Sequence, residues 1–192
     1  SGIDPRPIVI IAPDAQPLFE KEIGSNYEYI VQPERRGTGH AALCGFMAIK
    51  RAGTIAESMI VLNGDMPFIK PETIRMLVSE HAKTRSAITF ITNIVPNFEG
   101  EYATFYDFGR ILRNTTGKIQ GIVEKKDASA DQLEITEVNS SYFCFNTEWF
   151  EQNVPKLNTN NSQKEFYITD LVKIAIEQGD PVHTINASPE ES

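Results

Sequence analysis

Asp65 is the residue whose type and place most invite chemistry. It follows Gly64 at the end of the apolar run at residues 58–63, SMIVLN. A carboxylate just beyond a buried strand is a favoured Mg2+ ligand, because magnesium takes one or two protein carboxylates and fills its shell with phosphates and water. A plain turn or helix-capping aspartate ahead of Met66-Pro67 is the alternative. A second place is Gly37-Thr38-Gly39-His40-Ala41, which follows the β-rich run at residues 27–32 and opens a helical segment. Glycines there let backbone approach a ligand, and the first N–H groups of a helix favour anions or polar ligand edges. The same short motif suits an ordinary tight turn. Gln32 ends that run, and its amide can pair with a base edge or cap a neighbouring loop. His40 fits a helix-start residue with a satisfied hydrogen bond better than a general base. His81 and His183 have no partner pattern, and Ser140 and Ser141 lack the surroundings of a nucleophile elbow.

The elements that must position these groups follow from periodicity. Residues 7–12, 27–32, 58–63 and 88–95 are short apolar or β-rich runs, as buried strands should be. Helical segments are expected between them, at residues 14–23, 37–51 and from Lys70-Pro71-Glu72 to about residue 83, with proline in the first turn. Alternating strands and helices imply a parallel sheet with helices on both faces. In such a sheet ligands sit beyond the carboxyl ends of the strands, which selects Gln32 and Asp65 again. The second half changes character. Residues 109–112 and 118–124 flank Asn114-Thr115-Thr116-Gly117 as a hairpin whose Gly117 takes the left-handed turn position. Residues 140–145 and 181–185 are further strands, and residues 164–178 a helix closed by Gly179.

Composition bounds the function. The chain has 192 residues, 41% hydrophobic and 23% charged, with 18 Lys+Arg against 26 Asp+Glu and a net charge of −8. That suits one large domain or a major part of one. So acidic a surface argues against nucleic acid or an anionic membrane as partner, while leaving room for a phosphate ligand held by a few local donors. Cys44 and Cys144 lie in apolar runs and are expected to be buried free thiols. No Cys/His cluster suggests zinc, no stretch is long enough to span a bilayer, and no signal-peptide pattern is present. A reducing, cytoplasmic setting is the default.

Several motifs in order carry a resemblance. Gln32-Pro-Glu-Arg-Arg-Gly-Thr-Gly-His-Ala41, Val61-Leu-Asn-Gly-Asp-Met-Pro67, Phe108-Gly-Arg-Ile111, Gly117-Lys-Ile-Gln-Gly-Ile-Val-Glu-Lys-Lys-Asp127, Glu137-Val-Asn139 and Asn161-Ser-Gln-Lys-Glu-Phe-Tyr-Ile-Thr-Asp170 follow one another across nearly the whole chain. Together they resemble the nucleotidyltransferase domain of the bacterial N-acetylglucosamine-1-phosphate uridyltransferases, the GlmU-type family. The resemblance implies an α/β, Rossmann-like (GT-A-like) fold: a mostly parallel mixed sheet with helices on both faces and an inserted hairpin. It implies a cytoplasmic enzyme that joins UTP to N-acetylglucosamine 1-phosphate with Mg2+, forming UDP-N-acetylglucosamine, a peptidoglycan (cell-wall) precursor, and pyrophosphate. It assigns Gln32, Gly37, Thr38, Asn63 and Gly64 to the nucleotide. Asp65 becomes the catalytic metal ligand, and Gly109, Glu124, Asn139, Tyr167 and Thr169 border the sugar.

The chain departs from the family pattern in places. Nothing before Ile8 matches the family's opening strand and Gly-rich triphosphate loop, a unit of roughly 30 residues or more. The Gly-Val-Asn segment that completes the metal site and the hexapeptide-repeat β-helix of bifunctional members are not found. The expectation is a partial domain over residues 1–192, with turnover by these residues alone in question and self-association through exposed strand edges a consequence. Ser140-Ser141 stand where Thr-Gly is usual, and Asn63 where Tyr is common. A related hexose-1-phosphate nucleotidyltransferase and a non-catalytic nucleotide-sugar-binding module are the alternatives.

Overall fold

The computed structural model describes residues 3, 7–53, 56–66 and 68–191. Pro67, at the end of one motif above, and Ser1, Gly2 and Ser192 at the ends of the chain lie outside the described residues. The first half forms β1 (Ile8–Ile11), α1 (Gln16–Ile23), β2 (Glu28–Val31), α2 (Thr38–Arg51), β3 (Ser58–Val61), α3 (Pro71–Thr84) and β4 (Ile88–Ile94). The second half forms β5 (Arg110–Arg113), β6 (Ile119–Val123), a short α4 (Ala130–Leu133), β7 (Glu137–Asn146), α5 (Thr147–Asn153), α6 (Asp170–Gln178) and β8 (Val182–Asn186). No helix among the described residues is long and apolar enough to cross a membrane.

The fold is α/β with a mixed sheet, as the resemblance implies; the parallel sheet expected from the alternating strands and helices is met between β1 and β2 and between β4 and β8, while the other described pairings are antiparallel. β1 and β2 pair in parallel as a two-stranded sheet of their own. The other six strands are ordered around β7, which pairs antiparallel with β3, β4 and β5. β4 pairs in parallel with β8, and β5 forms an antiparallel hairpin with β6. Strands β3, β4, β5 and β8 therefore share one direction, with β7 inserted against them. The β3–α3–β4 crossover keeps its parallel sense without β3 and β4 touching.

Alternation along β7 builds both faces of the core. Phe143 and Phe145 join Phe46 of α2, Phe150 of α5 and Leu171, Val172 and Ala175 of α6 in one buried cluster. Tyr142 and Cys144 point the other way, into a cluster with Leu77 of α3, Ile91 of β4 and Ile185 of β8. A period of two on a fully covered strand places helices on both sides of the sheet. On α3 the buried positions Thr73, Leu77 and His81 recur every four residues, the stripe of a helix packed on one side. The His81 ring is buried beside the Thr89 hydroxyl (2.9 Å) and burial pulls its pKa down. Burial pushes the Cys144 thiol up to about 12, whereas Cys44 is only half-buried, so one of the two thiols departs from expectation.

The hairpin turn forms as its residues dictate. Gly117 has φ 80°, and Asn114 Oδ1 accepts from the Thr116 and Lys118 amides. The helix expected from residue 164 instead begins at Asp170. Lys164 has φ 58°, a left-handed conformation that ends helical propagation. The amides of Glu165, Phe166 and Ile168 go to acceptors outside any helix: Asn161 Oδ1, the Arg36 carbonyl and Thr38 Oγ1. Gly179, at φ 78°, closes α6 as expected.

A bulge interrupts the β4–β7 ladder. β4 advances from Phe90 to Thr92 while β7 runs from Phe143 back to Asn139, and Ser141 between them has φ 56°. Asn139 Oδ1 accepts from the Ser141 amide (3.1 Å), which stabilises the turn locally. A side chain in this conformation costs about 1–2 kcal/mol relative to glycine, partly offset by glycine's greater freedom in the unfolded chain. Ser141→Gly is expected to raise stability by about 0.5–1 kcal/mol in thermal or denaturant unfolding; a loss of stability would show that the Ser141 side chain holds the bulge.

Candidate functional site

Gly37-Thr38-Gly39 lies against an irregular strap formed by residues 161–169. The Phe166 amide donates to the Arg36 carbonyl (2.8 Å), and the Gly39 amide donates to the Phe166 carbonyl (2.8 Å). The Ile168 amide donates to Thr38 Oγ1 (3.1 Å), and the Arg36 guanidinium lies 4.7 Å over the Phe166 ring. The glycines are needed for this contact. A Cβ on Gly37 would stand 2.6 Å from the Phe166 carbonyl oxygen, and one on Gly39 would stand 2.6 Å from Leu157 Cδ1 and 3.0 Å from the same oxygen. Their close approach is thus to the protein's own strap, a partner that sequence reasoning did not foresee. One of the first amides of α2 is also spent there rather than left for an anion.

Gln32 follows β2 and turns its amide nitrogen back onto this loop, 3.1 Å from the Gly37 carbonyl and 3.0 Å from His40 Nδ1. The loop-capping role weighed for Gln32 is therefore present, and His40 has the hydrogen bond expected of it.

The strap also holds the second group of residues. Thr169 donates through its hydroxyl to Glu124 Oε1 (2.8 Å). The Gly109 Cα lies so close to Glu124 that a Cβ would stand 3.4 Å from Oε2 and 3.0 Å from Ile122 Cγ2. The Asn139 amide donates to the Gly109 carbonyl (2.9 Å). Gly109, Glu124, Asn139 and Thr169 thus form one contiguous group. Tyr167 is buried next to Thr169, and its hydroxyl accepts from Gln163 Nε2 (2.9 Å). Glu124, Tyr167 and Thr169 line a cavity of about 680 Å³ that continues past Asp127, Asp170 and Lys173. Burial pushes the Glu124 carboxyl up from its ordinary value near 4.5, the Thr169 hydroxyl opposes the rise, and the Asp170 and Asp127 carboxylates add to it. The folded chain then holds this proton more tightly than the unfolded chain. The carboxyl costs stability as pH rises from its unfolded value through its folded one, and the cost is complete above that window.

Asp65 stands apart, exposed in the turn after β3 with Gly64, and Asn63 half-buried before them. No described residue donates a hydrogen bond to its carboxylate. Among the described residues no three His, Cys, Asp or Glu side chains gather as a metal site. A single free carboxylate of this kind fits Mg2+, whose other ligands would be phosphate and water. The turn is tethered by Tyr142, whose hydroxyl reaches the Met66 carbonyl (2.9 Å) and the Glu191 carbonyl (3.3 Å). Burial, with the Asp65 and Glu191 carboxylates nearby, pushes the Tyr142 hydroxyl up to about 12, so it remains a donor. Glu191 itself accepts from the Thr73 hydroxyl and the Lys70 amide. Tyr142 was missed in the sequence; its signal is a phenol inside the apolar run YFCF, since a buried tyrosine needs a hydrogen-bond partner.

Comparison with known proteins shows the family of the chain. The family model described as nucleotidyl transferase matches residues 2–189. The chain is similar to the bifunctional protein GlmU of Corynebacterium aurimucosum, 36% identical over 100% of this chain and 39% of the relative. It is similar to that of Clostridium acetobutylicum, 35% identical over 95% of the chain and 38% of the relative. The GlmU of Carboxydothermus hydrogenoformans is 38% identical over 83% and 33%. The chain thus spans about two fifths or less of the length of these curated relatives.

Two glycines offer a direct test of the strap contact. Gly24 (φ 95°, ψ 171°) and Gly37 (φ 97°, ψ 175°) share a backbone conformation that disfavours any side chain, but nothing lies within 4 Å of a Cβ on Gly24. Gly24→Ala is expected to cost about 1–3 kcal/mol from backbone strain alone. Gly37→Ala should cost about 2 kcal/mol more in urea unfolding, because it also breaks the bonds to Phe166. Equal costs would mean that the contact contributes nothing.

Proposed function

This chain belongs to the nucleotidyl transferase family, and we propose that it supplies the uridine and sugar half-sites of an enzyme that makes UDP-N-acetylglucosamine from UTP and N-acetylglucosamine 1-phosphate. The observation that carries the reading is the strap: the Thr38–Ile168 bond and the Thr169–Glu124 bond are made by adjacent residues of the same segment. One short stretch of backbone thereby joins the loop assigned to the nucleotide to the carboxylate assigned to the sugar.

In the proposed reaction an oxygen of the sugar phosphate attacks the α-phosphorus of UTP. The bond from that phosphorus to the bridging oxygen breaks, and pyrophosphate leaves with the electron pair. The nucleophile is already anionic, so no strong general base is required and catalysis rests on alignment and charge neutralisation. Mg2+ bound through Asp65 would supply part of that neutralisation. Gln32, Gly37, Thr38, Asn63 and Gly64 border the nucleotide. The Glu124 carboxylate and the Asn139 amide suit sugar hydroxyls and the N-acetyl group, since both make directed hydrogen bonds. Gly109 leaves room beside Glu124, and Tyr167 and Thr169 border the same pocket.

Calorimetry with UDP-N-acetylglucosamine and UMP tests this assignment. Glu124→Gln keeps an acceptor for Thr169 and removes the charge. It is expected to weaken UDP-N-acetylglucosamine about tenfold, the size of one charge-assisted hydrogen bond, and to leave UMP unchanged. Equal weakening of both ligands, or no binding of either to the unsubstituted chain, would contradict the reading.

A further inference from the structure

Gln32 is held in an unusually complete way for a loop residue. An amide nitrogen carries two hydrogens, and Gln32 Nε2 lies 3.1 Å from the Gly37 carbonyl, which accepts, and 3.0 Å from His40 Nδ1, which accepts in the tautomer that leaves this nitrogen unprotonated. No described residue donates to its Oε1. Among the described residues the carbonyl is thus the part of the amide left without a partner. The Gln32–His40 bond requires a lone pair on Nδ1 and so the neutral tautomer with its ring proton on Nε2. That nitrogen lies 4.0 Å from Cys44 Sγ, one helical turn further along α2, and sulfur is a weak acceptor for it.

His40 Nδ1 has a second neighbour, the Glu34 carbonyl oxygen at 3.1 Å. A carbonyl can bond only to a protonated Nδ1, and a protonated Nδ1 repels the Gln32 amide hydrogens. The two contacts are mutually exclusive, so the ring's proton position decides whether Gln32 is held or released.

Resting on the reading of Gln32 as a base-contacting residue, we propose that His40 is a positioning residue for base selection. Its Nε2–H tautomer locks the Gln32 amide with the carbonyl as the outward group. The locked carbonyl accepts from a base whose edge carries a ring N–H, the imide edge of a uracil-type pyrimidine. It opposes the ring-nitrogen lone pair that cytosine presents at the same place. An unlocked amide would turn over and serve either base. Selectivity at this loop comes from a histidine that touches no ligand.

Two substitutions separate positioning from folding. Asn at position 40 can place an acceptor near the site of Nδ1, and Leu cannot. UMP and CMP binding would be measured by calorimetry on the chain and on the His40→Leu and His40→Asn variants. The unsubstituted chain is expected to favour UMP by about tenfold or more, the usual scale of one mismatched polar contact. His40→Leu should lose most of that preference, chiefly by gaining CMP affinity, and His40→Asn should restore it. A His40→Leu variant that keeps the preference would overturn this proposal alone. Loss of both nucleotides in equal measure by both variants would also overturn it. An unsubstituted chain that binds neither nucleotide would overturn the base-binding reading and this proposal with it. Independently of any ligand, 15N spectra of the His40 ring should show an unprotonated Nδ1 in the free chain, and a protonated Nδ1 would overturn the proposal.

Discussion

Backbone contact between the Gly37–Gly39 loop and the strap at residues 161–169 is the constraint on which the candidate site depends. Two amide–carbonyl bonds at 2.8 Å fix Phe166 between Arg36 and Gly39. Such bonds are individually worth about 1 kcal/mol net, so their value lies in placement more than in stability. They require glycine at two positions, because a Cβ at either would enter the space of Phe166 or Leu157. They also take the strap's amides away from helix formation, so α6 begins only at Asp170. The strap in turn is tied to the segment after β6: the Ser162 amide donates to Asp127 Oδ1 (2.8 Å) and Lys126 Nζ to Gln163 Oε1 (2.6 Å). Hydrogen bonds thus join the Gly37–Gly39 loop, the strap and the Glu124 carboxyl.

The second organising feature is β7. Its central residues are buried on both faces and paired on both edges, and the groups it places lie at its interruption. The bulge around Ser141 lets Asn139 pair with Gly109 while Tyr142 turns to the opposite face and holds the Asp65 turn. Bulges of this kind re-aim side chains at functional sites. The same strand therefore supports the Gly109–Glu124 group at one end of its bulge and the turn that carries Asp65 at the other.

Much of this was legible in the sequence, for reasons that can be named. Short apolar runs and four-residue burial stripes made β1, β2, β3, β4, α2 and α3 visible, since each buries a face with its own period. The hairpin was visible because Gly117 is needed where φ is positive. The grouping of Gly109, Glu124, Asn139 and Thr169 came from the family resemblance and is met by direct contacts. Pairing was not legible: no local pattern says that β7 enters antiparallel between β3 and β4. The start of α6 was misjudged because the strap's sequence has helical character and is held extended by partners about 130 residues away. The glycine motif was recognised as a place of close approach, but local sequence cannot say whether ligand or protein comes close.

Hydrogen exchange at the Gly39, Phe166 and Ile168 amides tests most directly whether loop and strap form one unit. All three amides should be protected to a similar degree, because they open in one event. Thr38→Val, which removes the acceptor for Ile168, should accelerate all three together. Acceleration confined to Ile168, or free exchange at Gly39 beside a protected Phe166, would contradict a shared assembly.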